Sequence, residues 1–298
     1  RYPDGIGSDY NAAQQMQYAA LSFRQMSALC PTAADTLCGE AGYGIYWIAD
    51  LGKENTGFLD LDIEVPEDCR IDIGYGEHLE DGRCRTDVRH FACRIEAKKG
   101  RNTYLHTFRR FGCRYLQFFV HTTSVTIHYA GLHPTTYPFT LQPYKTGNLL
   151  RDTIYEVCVN TLVQCMHEHY EDCPWREQAL YVMDSRNQML CGYYAFGEYE
   201  APRAALKLIS LGQRPDGLLT ICYPTGRDAP IPSFSTMYFV QMYEYIKYAG
   251  DITLAQECYP VLTSLARTFT DRLNQDGLIP SFATNGMDWM YFTMIGLF

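Results

Sequence analysis

The sequence lacks several features that would place a protein in a class at once: long apolar runs, paired cysteine motifs and an excess of basic residues. No apolar stretch approaches the roughly 18 residues that a membrane-spanning helix requires, so a membrane protein of that kind is not expected. Lys and Arg (25) are outnumbered by Asp and Glu (34). A net charge of −9 repels a phosphate backbone, which argues against nucleic acid as a partner, whereas a neutral ligand such as a sugar is compatible.

Several catalytic and metal-binding motifs are also missing from the sequence. It has no CxxC pair, no Cys/His spacing of a zinc site, no Gly-x-Ser-x-Gly and no P-loop lysine. His167 and His169 are two residues apart, the wrong spacing for one helical face, so no metal site is expected there. A chain of this size does not need disulfides to fold, and the twelve cysteines are therefore expected to be mostly reduced, buried thiols. This favours a cytoplasmic location over export.

Length and termini describe a large, multidomain chain. A chain of 298 residues, 47% of them hydrophobic, is long enough for two domains with cores of their own. It begins at Arg1 without an apolar signal core and ends in an apolar stretch at Phe298. Both ends are interpreted as cuts in a longer protein.

The first half of the chain has the pattern of β-strands. Residues Leu59–Val65 alternate strictly between apolar and acidic side chains, and residues 70–75 repeat this texture. Two later runs, residues 115–120 and 125–129, are rich in aromatic and β-branched residues. We therefore predict an antiparallel β-sandwich over residues 37–142, preceded by a linker or the tail of another domain over residues 1–36. Within that tail, residues 14–26 are compatible with a helix.

The second half, residues 143–298, has only helical patterns. Apolar residues recur at helical spacing in four segments: 149–170, 201–211, 233–248 and 253–273. The segment Pro215–Leu219 recurs as Gln275–Ile279, an offset of 60 residues (276 − 216), with each glycine placed for a left-handed helix exit. A period of about 60 residues corresponds to one pair of helices plus loops, which stack into toroids. Chance is a rival explanation, because Asp-Gly turns are common.

The densest group of chemically active side chains begins at Asp172 and ends at Asp184. Asp172 suits an N-cap before Pro174, and on the helix that would follow, Arg176 and Glu177 fall near the same faces as Asp172 and Asp184, respectively. Such a set suits glycoside hydrolysis, which needs a carboxylic acid with a raised pKa, a second carboxylate and groups that bind sugar hydroxyls. The alternative is simple helix capping, with Arg176 paired to Asp172.

The segment Asp172-Cys173-Pro174-Trp175-Arg176-Glu177-Gln178, with Asp184 twelve residues after Asp172, resembles the catalytic motif of α-L-rhamnosidases of glycoside hydrolase family 78. The resemblance extends to segments of the β half that are similar to the sandwich domain of that family: 50–52, 57–58, 75–77, 81–83 and 111–115. Residues 286–289 look like the Gly-Asp-Trp segment of its barrel. The family fold implies an (α/α)6 barrel after the sandwich, and this chain would contain only its N-terminal half.

The resemblance also implies roles for individual residues. Glu177 would be the general acid of an inverting mechanism, supported by Asp184. Asp172 and Arg176 would hold rhamnose hydroxyls, and Asp288 and Trp289 would complete the substrate site, with the indole as an apolar wall for the methyl group of a 6-deoxy sugar. No cofactor is implied, and the expected partner is a rhamnose-containing oligosaccharide or glycoside.

The sequence departs from the family pattern at two points. Many members have two acidic residues after the arginine, whereas Gln178 follows Glu177 here. The family's general base lies far beyond the motif, and no residue of this chain is a candidate for it. These residues alone are therefore expected to be inactive. Half a barrel would leave apolar helix faces uncovered, from which we predict self-association. Two other functions remain open: a non-catalytic carbohydrate-binding homologue, and an (α/α)6 glycosidase that acts on another sugar.

Overall fold

The structure is a computed structural model that describes residues 23–29, 35–38, 44–86, 91–226 and 228–279. These residues divide into two compact units. One comprises the chain up to Thr136 together with Pro174–Arg176, and the other comprises Tyr137–Cys173 and the chain from Glu177 onward. Among the described residues, no helix has the length and hydropathy needed to span a membrane.

The first unit is built on a sheet of seven strands. In chain order they are β1 (Phe23–Leu29), β2 (Asp35–Cys38), β3 (Gly44–Val65), β4 (Cys69–Gly76), β5 (Ala92–Ala97), β6 (Gly100–Val120) and β7 (Ser124–Pro134). Their spatial order is β2-β7-β3-β6-β4-β5, with every pair antiparallel, and β1 adds to β3 in parallel. The alternating segments of the sequence are thus strands, as predicted.

Alternation along the strands produces the core of this unit. Leu59, Leu61 and Ile63 of β3 are buried, as the period-2 pattern predicts, and they join an apolar cluster drawn from β2 to β7. At its centre the Trp47 indole stacks on Phe118 of β6, with ring centroids 4.0 Å apart. Burying these aromatic rings removes a large apolar area from water and fixes the register of β3 against β6.

The N-terminal tail contains one error of prediction. The helix considered for residues 14–26 is wrong at its described end, because Phe23–Leu29 is a strand paired with Gly44–Asp50 of β3. Residues 14–22 lie outside the described residues. The predicted domain boundaries at 36/37 and 142/143 stay predictions, although β1 lies in the sheet unit and the helical unit begins at Tyr137.

A half-buried carboxyl group lies at an irregularity of the long strand β3. Glu54 lies where β3 shifts its register against β6, between Asp50 and Asn55. Burial, together with the nearby Glu77 carboxylate, raises the pKa of Glu54 to about 8. Because the folded pKa exceeds the unfolded one, this group costs stability progressively as pH rises from about 4.5 to about 8.

Replacing Glu54 by Gln should therefore stabilise the protein at alkaline pH and leave it nearly unchanged at pH 5. We expect the thermal midpoint at pH 9 to rise by roughly 5 °C relative to the wild type. Differential scanning calorimetry at both pH values measures this, with the exposed Glu96→Gln as the matched control. An equal change for Glu54→Gln at pH 5 and pH 9 would contradict the assignment.

The second unit is built from six helices among the described residues. Its helices are α1 (Leu149–Gln164), α2 (Val182–Ala195), α3 (Glu200–Ser210), α4 (Pro232–Ala249), α5 (Thr253–Glu257) and α6 (Tyr259–Thr270). Pro232 fits the first turn of α4, where its missing N–H costs nothing, and Gly250 ends this helix in the left-handed conformation at φ 71°. The four predicted helical segments correspond to α1, α3, α4 and the pair α5–α6.

Two of these segments end earlier or break where the sequence suggested one helix. The segment predicted over residues 149–170 is helical only to Gln164, and a short bridge between Met166 and Tyr170 follows. The segment 253–273 is two helices that meet at Cys258, just before Pro260. A proline within the first turn of α6 cannot donate the hydrogen bond that would continue α5.

The two copies of the Asp-Gly repeat adopt the same turn. In the first, the backbone N–H of Gly217 donates to Arg214 and that of Arg214 to Leu218; the second repeats this pattern 60 residues later. Both glycines have left-handed φ values, 87° at Gly217 and 73° at Gly277. Each lies seven residues beyond a helix end (217 − 210 and 277 − 270), so the predicted position at the helix exit is wrong and the turn belongs to the following loop.

Two further predictions concern reduced cysteines and self-association through apolar surface. Eleven cysteines of the described residues are free, and six of them are buried. Helix α1 exposes Leu149, Leu150, Ile154 and Val157, an apolar surface of the kind from which self-association was predicted. The oligomeric state itself stays a prediction.

Candidate active site

The residues from Asp172 to Glu177 form a turn, not the helix that the sequence suggested. Pro174–Glu177 have turn geometry, Gln178 has a left-handed φ of 52°, and helix α2 begins only at Val182. The predicted N-cap at Asp172 and the pairing of side chains by helical offsets are therefore wrong. The loop competes successfully with a helix because its own side chains satisfy its backbone.

Hydrogen bonds at both ends hold this loop closed. The backbone N–H of Asp172 donates to the carbonyl of Ala179 at 3.0 Å, and the N–H of Ala179 donates to Asp172 Oδ1 at 3.1 Å. Inside the loop, the Cys173 thiol donates to Glu177 Oε2 at 3.1 Å and accepts from the Glu177 N–H at 3.4 Å. The carboxyl group of Glu177 is thus oriented by its own loop.

Two carboxyl groups of the loop lie close together. Ligand atoms of Asp172, Cys173 and Glu177 all lie within 4.8 Å of one another. Burial raises the pKa of Asp172, and the charge of Glu177 adds to this effect. Because two carboxylates at such a distance resist double ionisation, the pair favours retention of a proton, which is the property required of a general acid.

Helix α2 adds a third carboxyl group. Asp184 lies in the first turn of α2. Burial raises its pKa, with contributions from the charges of Asp172 and Glu177. The fold of the helical unit therefore brings together three of the predicted residues: Asp172, Glu177 and Asp184.

A buried polar group anchors the chain immediately before the loop. Glu171 is 1% exposed, and its Oε2 lies 3.4 Å from Nδ1 of the equally buried His167. The side-chain amide of Gln188 on α2 donates to the backbone carbonyl of Glu171 at 2.5 Å. The start of the loop is thus tied to the helix that carries Asp184, so the position of Asp172 is defined from both sides.

The tip of the loop, Pro174–Arg176, belongs to the sheet unit. The indole of Trp175 packs on Phe91 with ring centroids 4.5 Å apart, and it meets His78 edge-on at 6.0 Å. Gly112 of β6 faces Pro174 so closely that a Cβ atom there would lie 2.0 Å from the Pro174 carbonyl oxygen. Arg176 is exposed, and its positive charge acts on the half-buried Glu77.

A cavity of about 450 Å³ opens between α1 and α2. Its walls are mainly apolar side chains of these helices. Of the three carboxyl groups at Asp172, Glu177 and Asp184, Asp172 lines this cavity. Its volume falls within the range of small-molecule sites. A sugar also needs convergent polar groups, so the cavity alone does not define a sugar site.

The donor set at the loop is also compatible with a cation. One thiol and two carboxylates within 4.8 Å offer three ligand atoms. The mixture of one soft and two hard ligands suits zinc better than calcium. The thiol already donates a hydrogen bond to Glu177, however, and this arrangement requires its proton.

Two predicted residues, Asp288 and Trp289, lie outside the described residues. Conversely, three residues with a clear place around the site were not predicted: Cys173, Gly112 and Glu171. The i, i+4 spacing of His167 and Glu171 was a usable signal, whereas the spacing of Gly112 from Pro174 in the sequence carries none.

Comparison with known families decides the assignment. A model of the bacterial alpha-L-rhamnosidase six-hairpin glycosidase domain matches residues 143–294, and one of the bacterial alpha-L-rhamnosidase concanavalin-like domain matches residues 44–128. The chain belongs to the bacterial α-L-rhamnosidase family. The predicted succession of a β-sandwich and a six-hairpin helical domain is thereby confirmed. No curated protein matches the chain.

Solved structures of rhamnosidases share the fold. The GH78 family rhamnosidase of Bacillus sp. GL1 has 26% identity and a TM-score of 0.78, over 83% of this chain and 26% of that protein. The rhamnosidase from Klebsiella oxytoca with rhamnose bound has 19% identity and a TM-score of 0.66, over 93% of this chain and 62% of that protein. The Streptomyces avermitilis α-L-rhamnosidase complexed with L-rhamnose has 18% identity and a TM-score of 0.63, over 80% of this chain and 24% of that protein. The chain thus spans about a quarter of the Bacillus enzyme's length.

Proposed function

We propose that this protein hydrolyses terminal α-L-rhamnose from glycans or glycosides, with Glu177 as the general acid. The observation that carries the proposal is the group of three carboxyls at Asp172, Glu177 and Asp184, in which burial raises the pKa values of Asp172 and Asp184. Family membership and the rhamnose-bound relatives support rhamnose as the sugar.

The proton needed for leaving-group departure would come from Glu177. The Cys173 thiol holds its Oε2 and so orients the carboxyl group that would transfer the proton to the glycosidic oxygen. Asp172 and Glu177 lie close enough to resist double ionisation, so that one proton is retained by the pair. Asp184 adds a third carboxyl group to the cluster, and its charge further disfavours full ionisation of the three.

Substrate contacts are assigned to the residues around the acid. Asp172 would accept hydrogen bonds from rhamnose hydroxyls, and the exposed Arg176 would donate to them. Asp288 and Trp289 would complete the site, as the family resemblance implies. No cofactor takes part in this mechanism, because proton transfer and attack by water need none.

The stereochemical course is proposed to be inversion. An inverting pair of carboxyls stands about 6.5–9.5 Å apart to admit a water molecule, whereas Asp172 and Glu177 approach within 4.8 Å. These two carboxyls therefore work together on the acid side, and the base is a different residue. Sequence analysis identified no candidate for that base, and the inactivity expected of these 298 residues alone stays a prediction.

The test is hydrolysis of 4-nitrophenyl α-L-rhamnoside by the full-length protein, followed by proton NMR of the first sugar released. We expect β-L-rhamnose to form first and then to mutarotate, because water attacks opposite the departing group. A panel of other aryl glycosides serves as the control. Initial release of the α-anomer would replace inversion by retention, with Asp172 as the nucleophile.

Two other functions compete, and the same panel separates them. Cleavage of a different aryl glycoside would indicate a six-hairpin glycosidase for another sugar. Binding of rhamnose without any hydrolysis, measured by calorimetry, would indicate a carbohydrate-binding homologue.

A further inference from the structure

We infer that Cys173 is a positioning residue for the general acid: its sulfur atom holds both the side chain and the backbone of Glu177, which fixes the carboxyl group in one orientation. The inference rests on the proposed function of Glu177 and adds to it a residue for which sequence analysis assigned no role. It begins from two contacts, the thiol donating to Oε2 at 3.1 Å and the Glu177 N–H donating to sulfur at 3.4 Å.

In these two contacts the sulfur atom acts as both donor and acceptor, and the thiol is also within hydrogen-bond reach of the Asp172 carboxyl. A thiol has one proton to donate and a weak acceptor. By accepting from the backbone of Glu177 and donating to its side chain, Cys173 fixes both ends of the same residue. The carboxyl group is thereby left with little rotational freedom, which is what a general acid needs to meet the glycosidic oxygen in one orientation.

The thiol keeps its proton across the working pH range. Burial, assisted by the Asp172 and Glu177 carboxylates, raises the pKa of Cys173 to about 11. Cys173 therefore remains a hydrogen-bond donor and is a poor nucleophile. During the reaction the thiol proton stays on sulfur, and the proton that moves is the one on Glu177.

The choice of cysteine over serine has a physical consequence. A thiol is a weak donor, so it orients a carboxylate with little stabilisation of the ionised form. A hydroxyl in its place would donate more strongly and would favour the carboxylate over the acid. The other titratable groups near Glu177 in the helical unit are Asp172 and, from the first turn of α2, Asp184, and both carry charge of the same sign.

The decisive experiment compares Cys173→Ala and Cys173→Ser in the full-length protein by pH–rate profiles of aryl α-L-rhamnoside hydrolysis. We expect Cys173→Ala to lower kcat about tenfold with KM nearly unchanged, and to move the basic limb of kcat/KM to higher pH. Cys173→Ser should retain most of kcat and move that limb to lower pH. Cys38→Ala, which removes an exposed thiol of β2, is the control and should match the wild type.

A structural role alone would give a different result. If Cys173 only fills space, both variants lower the thermal midpoint and kcat while the basic limb stays at its wild-type pH, and the inference is overturned. Opposite shifts of the limb in the two variants, at equal folding by circular dichroism, would show that residue 173 acts through its hydrogen bonds to the carboxyl pair Asp172 and Glu177.

A second measurement does not depend on activity. The S–H stretching band of Cys173, identified by its loss in Cys173→Ala, should lie below that of the exposed Cys38 thiol and should move when Glu177 is replaced by Ala. A band at the frequency of an unbonded thiol would overturn the inference even if the enzyme is active. Absence of rhamnoside hydrolysis in the wild type would instead overturn the proposed function, while the infrared band still decides the hydrogen bond.

Discussion

Replacement of Glu177 by Gln is expected to lower kcat/KM for rhamnosides by about 10²–10⁴-fold while leaving the fold intact. Gln has nearly the same shape as Glu but no acidic proton, so it removes only the transfer to the leaving oxygen. Steady-state kinetics on 4-nitrophenyl α-L-rhamnoside measures the loss. Circular dichroism and thermal melting check that the variant remains folded.

The dependence on the leaving group makes this prediction specific. A 4-nitrophenolate departs with little help from an acid, whereas an alkoxide needs a proton as the bond breaks. The loss in Glu177→Gln should therefore be larger for an alkyl rhamnoside than for the 4-nitrophenyl one. The exposed Glu168→Gln, nine residues earlier in the chain (177 − 168), is the matched control. Equal losses on both substrates would remove Glu177 from the role of acid.

The second large effect is expected from Gly112→Ala in β6. The added methyl group would lie 2.0 Å from the backbone oxygen of Pro174, a distance that no side-chain rearrangement relieves. Either β6 or the segment Pro174–Arg176 must shift, and we expect a loss of about 2–4 kcal/mol in unfolding free energy. Denaturant or thermal unfolding measures this loss.

A functional consequence should accompany the loss of stability. Arg176 belongs to the segment that must move, and its proposed role is to hold rhamnose hydroxyls. KM should therefore rise by more than kcat falls. The matched control is Gly76→Ala in β4, where the new methyl group would meet its nearest neighbour, Cys84, at an ordinary 3.5 Å. If the two variants melt alike, the close approach of Gly112 and Pro174 is not a constraint on the fold.

Much of the fold was accessible from the sequence because its signals are local. The strict alternation at Leu59–Val65 marks β3, since a strand with one buried face must repeat every two residues. Pro232 and Gly250 bracket α4 for equally local reasons of backbone geometry. Long-range pairing was not accessible in this way: β1 joins β3 in parallel, and its sequence does not reveal that partner.

The candidate site shows the same division. The residue types and spacing from Asp172 to Asp184 were sufficient to nominate the acid and its neighbours. The local conformation was predicted incorrectly, because helical offsets were applied to a segment that forms a closed turn. Two interactions stabilise the turn against a helix: the Cys173 thiol donates to Glu177, and the Asp172 carboxylate accepts from the Ala179 N–H. Neither interaction is evident from the sequence.

The sequence by itself determined the succession of a β-sandwich and a helical domain, the family, and the carboxyl groups available for chemistry. These depend on periodicity and on motifs, which are properties of short segments. Only the tertiary structure decided that the tip Pro174–Arg176 lies with the sheet unit, that Asp184 joins Asp172 and Glu177, and that the Cys173 thiol donates a hydrogen bond to Glu177. The physical reason is that pKa values and side-chain orientation depend on burial and on neighbours in space, which packing of the whole chain creates.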